Sequence, residues 1–221
     1  MRSFFISGCL VFIALLCINF KAMAQLPVEL FAGHQRSTVD IMFFRFIKNK
    51  EGKNSRFLFF NRNRCSVDYK MTPDANLPQF GFTEALSYNH EKLGGWSPVG
   101  VVTLLNRGVF PKAGVQYARV KTDFTIFGWV VMETLRRPGI DCFFLARYTP
   151  PLTSRLHLFS QVELLNVLPT VQENNYTFTQ RFRLGLKRNE LQFGAGLDVV
   201  HLGRKEFTRT ENFGGFLRYE F

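Results

Sequence analysis

Residues 175–199 read NYTFTQRFRLGLKRNELQFGAGLDV. The even positions Tyr176, Phe178, Gln180, Phe182, Leu184 and Leu186 are mostly apolar, while Thr177, Thr179, Arg181, Arg183, Gly185 and Lys187 make the odd positions polar or cationic. A period of two belongs to a β-strand whose faces meet different surroundings, because successive side chains point to opposite sides. After Lys187-Arg188-Asn189-Glu190, short enough for a hairpin turn, the pattern resumes. Leu191, Phe193, Ala195, Leu197 and Val199 now alternate with Gln192, Gly194, Gly196 and Asp198.

The same alternation extends through most of the chain. Leu156, Leu158, Val162 and Leu164 oppose Arg155, His157, Gln161 and Glu163, and Ile140, Cys142, Phe144, Ala146 and Tyr148 oppose Asp141 and Arg147. In 123–133 both phases are apolar. The pattern predicts strands near 28–33, 37–47, 54–69, 79–90, 96–106, 109–119, 122–135, 138–148, 154–166, 175–187, 190–202 and 207–221, with no helix. This is an all-β chain, read as a transmembrane antiparallel up-and-down β-barrel of about twelve strands. Merging the first two strands gives eleven, but an even number brings both termini to one side, so twelve is preferred and ten stays open.

The ends agree with that class. Arg2, an apolar stretch from Phe4 to Ile18 and Ala22-Met23-Ala24 form a secretory signal peptide with cleavage after Ala24, leaving one barrel domain over 25–221. A lipidated cysteine at Ile6-Ser7-Gly8-Cys9 is the weaker reading, because Cys9 precedes most of the apolar region. Beyond the signal no run reaches the roughly eighteen apolar residues of a membrane helix. The net charge of +11 falls by two with Arg2 and Lys21, and the remaining basic residues form no cluster, which argues against nucleic acid.

If the last strand runs toward the periplasm, the descending strands finish in Tyr88, Tyr117, Tyr148 and Tyr219 at one level on the outward phase. With Phe221 these form an interfacial aromatic belt, since a tyrosine ring is apolar and its hydroxyl seeks water. The same count places 70–78, 167–174 and 203–205 on the outer side, with mostly shorter turns on the inner side.

The signal peptide, the alternating strands and the terminal Leu217-x-Tyr219-x-Phe221 together resemble Gram-negative outer-membrane β-barrel proteins. In that family the closing strand is read by the barrel assembly machinery, and a glycine usually stands five residues before the last aromatic. Here that position is Phe216, preceded by Gly214 and Gly215. The resemblance implies outer-membrane localisation, with outer-membrane lipid and the assembly machinery as partners. In strand number the chain is also similar to two families of small channels, one passing nucleosides and one acidic oligosaccharides, but no residue motif carries a substrate across.

On this reading the inward phase lines the lumen with basic Arg62, Arg64, Arg147, Arg155, Arg181, Arg183, Lys187 and Arg218, with His157, and with acidic Asp68, Glu163, Asp198 and Glu220. Two functions follow. A ring of guanidinium groups would make a small passive channel attractive to anionic solutes. Alternatively the charges pair, fill a narrow barrel and leave a structural or accessory protein without transport. A lipid-modifying enzyme is the third class, but His157 and Ser160 fall on opposite faces of a strand, so no catalytic residues are assigned. No metal or cofactor is expected. Cys65 and Cys142, on outward phases several strands apart, are expected as free thiols. Glu84 and Gln180 are outward polar residues, read as a protein contact or as strand-end departures from phase.

Overall fold

A computed structural model of the chain describes residues 26–69, 79–106, 108–135, 139–170 and 175–221. The signal peptide lies outside the described residues. Twelve strands follow one another: β1 (Pro27–Gly33), β2 (Arg36–Lys48), β3 (Asn54–Asp68), β4 (Gln79–Tyr88), β5 (Trp96–Leu105), β6 (Gly108–Val120), β7 (Phe124–Glu133), β8 (Gly139–Tyr148), β9 (His157–Pro169), β10 (Tyr176–Arg188), β11 (Leu191–Gly203) and β12 (Phe207–Glu220). Each pairs antiparallel with its neighbours in sequence, and β1 pairs with β12 to close the barrel.

Closure explains the apolar C-terminus. β12 pairs with β1 from Pro27 opposite Glu220 to Gly33 opposite Gly214. The last residue is held too: the Leu26 amide donates to the Phe221 carbonyl at 3.1 Å and the Phe221 amide to Leu26 at 3.2 Å. Full closure leaves no strand edge unpaired. Along β12, Phe213, Leu217 and Tyr219 are exposed on the outer wall, while Phe216 and Arg218 are buried inside. Phe216 therefore serves the interior, where it packs with Phe31 and Phe159. Gly214 has no room for a side chain, since a Cβ there would lie 2.0 Å from the Ala32 carbonyl oxygen.

The expected strands and the observed ones differ most at β9, which starts at His157 rather than 154. The Thr153 hydroxyl accepts the Leu156 amide at 3.1 Å, and the Leu152 and Thr153 amides donate to the Leu156 carbonyl. These bonds hold a turn over 149–156 at the end that carries both termini. Together with 89–95 it makes the turns at that end as long as several at the other, so loop length does not distinguish the two ends.

Inside, β2 to β8 enclose an aromatic core of Met42, Leu58, Phe60, Val101, Phe127, Trp129, Phe143 and Leu145 among others. Phe127 on β7 faces Phe44 and Phe60 from β2 and β3, with ring centroids 5.3 and 5.1 Å apart and planes within 8° of parallel. Trp129 meets Phe60 edge-on at 4.9 Å. These contacts span the lumen rather than run along one wall. They also explain why both phases of β7 are apolar: one faces outward and the other faces this core.

Truncating Phe127, fully buried, removes the ring on which both walls pack. Phe127→Ala should lower stability by about 3–5 kcal/mol in urea unfolding of the barrel in lipid vesicles. A loss under about 1 kcal/mol, the range of a surface change, would contradict a packed lumen.

Candidate functional site

The remaining sector of the lumen, formed by β9 to β12 with β1 and the inner faces of β2 and β3, is charged. Arg62 on β3 lies at its centre. Its guanidinium grips Asp40 on the neighbouring β2, with Nε to Oδ1 at 3.1 Å and a second, shorter contact from Nη2. Its Nη1 reaches Glu163 on β9 at 2.9 Å. In a ring of twelve, β3 and β9 are diametrically opposed. This ion pair therefore joins facing walls.

From Glu163 the network continues round the sector. Arg181 Nη1 donates to Glu163 Oε2 at 3.2 Å, and Gln161 Nε2 donates to Oε1 at 2.7 Å. Arg64 Nη2 meets Asp198 Oδ2 at 3.1 Å, and Arg183 Nη1 meets Asp198 Oδ1 at 2.7 Å. Arg183 Nε and Arg218 Nη2 share Glu29, at 2.9 and 2.5 Å. The Arg183 guanidinium also lies 4.1 Å from the Phe31 ring centroid, a cation–π geometry. Gly196 makes this possible, because a Cβ there would sit 2.9 Å from both Arg183 and Phe31.

Arg147 differs from the others in facing an amide rather than a carboxylate. Its Nε donates to Gln161 Oε1 at 2.8 Å, and the same oxygen accepts from Arg218 Nη1 at 3.0 Å. Toward the terminal end, Lys187 pairs with Glu220 at 2.9 Å, where Gln192 donates a further bond. Toward the opposite end, Arg36 pairs with Asp68. Beside that pair is a cavity of about 230 Å³, lined in part by Arg64, Arg181, Asp198, Thr210 and Asn212. Two buried donors near it, Arg64 Nη1 and Arg181 Nε, make no hydrogen bond; each lies within 4 Å of a carboxylate oxygen, Asp40 at 3.8 Å and Asp198 at 3.9 Å.

Of the residues expected inside, Arg62, Arg64, Arg147, Arg181, Arg183, Lys187, Arg218, Glu163, Asp198 and Glu220 come together in this network. Asp68 lies at its rim. Arg155 does not join it, being exposed in the turn over 149–156, and His157 is half-buried at the start of β9. Alternation missed Glu29 and Asp40, both buried carboxylates. The phase of β1, with Glu29 and Phe31 against Val28 and Leu30, holds too few residues to separate the faces. Asp40 shares its phase with Met42 and Phe44, which read as apolar wall.

The expected belt residues Tyr88, Tyr148, Tyr219 and Phe221 are exposed on the outer wall, and Tyr117 is half-exposed there. Each tyrosine has an aromatic neighbour: Phe57 beside Tyr88, Trp96 beside Tyr117, Phe124 beside Tyr148 and Phe221 beside Tyr219, at 4.7 to 6.4 Å. Cys65 and Cys142 are free. The Ser160 hydroxyl donates to the Tyr148 carbonyl at 2.9 Å.

No protein-family model matches the chain, and no curated protein matches it. Among solved structures, the chain is similar to the NanC porin at a TM-score of 0.51 and 8% identity, covering 89% of this chain and 99% of that one. It is also similar to the KdgM porin at a TM-score of 0.49 and 12% identity, covering 90% and 99%. At these identities the NanC likeness is one of fold: a small porin-like barrel.

Removing the Arg62 guanidinium would leave buried Asp40 with only Arg64 at 3.8 Å and Glu163 with only Arg181. Arg62→Met should therefore cost about 3–5 kcal/mol in urea unfolding, well beyond the loss of a surface ion pair. A cost under about 1 kcal/mol would mean that the opposed walls do not depend on this contact.

Proposed function

We propose that the protein is an integral outer-membrane β-barrel whose lumen is closed by its own side chains, acting as a structural or accessory barrel rather than an open passive channel. The observation that carries this reading is the 2.9 Å contact between Arg62 and Glu163 on opposed strands. A lumen wide enough for water would leave inward side chains wet, yet Phe127 and Leu145 are fully buried and Glu29, Glu163, Arg183 and Arg218 are at most 5% exposed. Barrels of eight strands are filled by side chains and those of sixteen or more hold water, so twelve can do either. The long arginines and the aromatic core favour filling.

In this reading Tyr88, Tyr117, Tyr148, Tyr219 and Phe221 sit at the membrane–water interface, outer-membrane lipid covers the apolar wall, and the assembly machinery reads the closing strand. A second reading rests on the cavity beside Arg64 and Arg181. An anionic solute entering there would compete with Asp198 and Glu163 for the arginines, and loosening those pairs would turn the closed barrel into a gated, anion-favouring passage.

Planar-bilayer recording separates the two. The wild type should show no unitary conductance, whereas Arg62→Ala with Glu163→Ala should open measurable steps. Spontaneous anion-selective openings of the wild type would overturn the closed barrel in favour of the gated channel.

A further inference from the structure

Six guanidiniums meet four carboxylates in the middle of the charged sector. Arg62, Arg64, Arg181, Arg183 and Arg218 engage Glu29, Asp40, Glu163 and Asp198, while Arg147 bonds the Gln161 amide. The pairs on either side, Lys187 with Glu220 and Arg36 with Asp68, are balanced. Among the described residues, six against four leaves the middle of the sector with two positive charges in excess. A buried charge without a counter-charge is costly, because the interior replaces little of the hydration it loses.

The cavity of about 230 Å³ gives that excess a place to be neutralised. It is lined by Arg36, Arg64 and Arg181, from β2, β3 and β10, with the hydroxyls of Thr179 and Thr210 beside them. Asp198 is the one acid lining it among the described residues, and both of its oxygens are already engaged, by Arg183 and Arg64. Arg64 Nη1 and Arg181 Nε are buried without a hydrogen bond and reach carboxylate oxygens only at 3.8 and 3.9 Å. The space suits several waters or one group of phosphate size.

This donor set selects its ligand. Three guanidiniums and two hydroxyls around one committed carboxylate would repel a cation, and a neutral solute would leave the charge excess in place. A tetrahedral oxyanion presents several acceptors and up to two negative charges, in the planar pairs of oxygens that guanidinium groups bind best. We propose that the cavity binds a small oxyanion of the inorganic phosphate class as a counter-ion of the closed lumen. The inference rests on the closed-barrel reading, in which the anion is a ligand of the folded state and not a solute in transit. Binding the folded barrel alone, it stabilises the fold by mass action.

Equilibrium dialysis tests this, with the barrel refolded in detergent without phosphate and radiolabelled inorganic phosphate added at constant ionic strength in chloride. The wild type should take up one phosphate per barrel with saturation, and Arg181→Gln should raise the dissociation constant at least about tenfold, a loss of about 1.4 kcal/mol. Thr179→Val with Thr210→Val leaves every ion pair in place and should also weaken binding, which keeps the site testable if Arg181→Gln does not fold. Lys205→Gln removes an exposed charge from the turn between β11 and β12 at the same end and should leave binding unchanged. Heat-modifiable gel migration verifies that each barrel is folded. Phosphate uptake that is absent, does not saturate or survives both cavity variants would overturn the site. Conductance of the wild type in a planar bilayer would instead overturn the closed lumen on which the site rests.

Discussion

The Glu163 carboxylate is where the two sides of this barrel meet. Arg62 comes to it from the opposite wall and Arg181 from the adjacent strand, while Gln161 donates from its own strand. Buried ion pairs contribute little net stability over apolar packing, because desolvation offsets most of the Coulomb gain. Their effect is specificity. With both walls committed to one carboxylate, a shift of register or a wider lumen would separate Arg62 and Arg181 from Glu163 and leave a buried carboxylate bare.

The aromatic core does the complementary work. Phe44 and Phe60 close on Phe127 while Trp129 and Phe143 complete the cluster, so apolar burial supplies the driving force that the charged half lacks. The lumen is thus divided into an aromatic sector lined by β2 to β8, which also holds the Lys112–Asp141 ion pair, and a charged sector along β9 to β1 that takes in Asp40, Arg62 and Arg64 from β2 and β3. Arg62 belongs to both, since it lies 6.0 Å from the Phe143 ring centroid while binding Asp40 and Glu163.

This division determines how much was legible beforehand. Where one face lies on the apolar outer wall and the other meets the charged sector, as in β10 and β11, alternation was clean and the strand bounds were recovered to within a residue. Arg181, Arg183 and Asp198 were readable for the same reason. In β7 both faces are apolar, so nothing in the period told Phe127 inside from Ile126 outside. Pairings across the lumen were unreadable in principle. The contact of Arg62 with Glu163 depends on strand number and register together, and no local pattern encodes it. Arg155 was misplaced because the Thr153 turn, a matter of one hydroxyl, delays the start of β9.

In the closed-barrel reading, the outer wall is the surface through which the protein meets its surroundings. Tyr88, Tyr117, Tyr148 and Tyr219 lie on its outward phase toward the end that carries both termini, where Phe221 pairs with Leu26. The most direct test of the closed lumen is thiol access at its centre. With Cys65 and Cys142 replaced by serine, Leu145→Cys should resist a water-soluble methanethiosulfonate reagent in the folded barrel and react only after unfolding. Rapid modification of the folded protein would show water at mid-lumen and contradict the account.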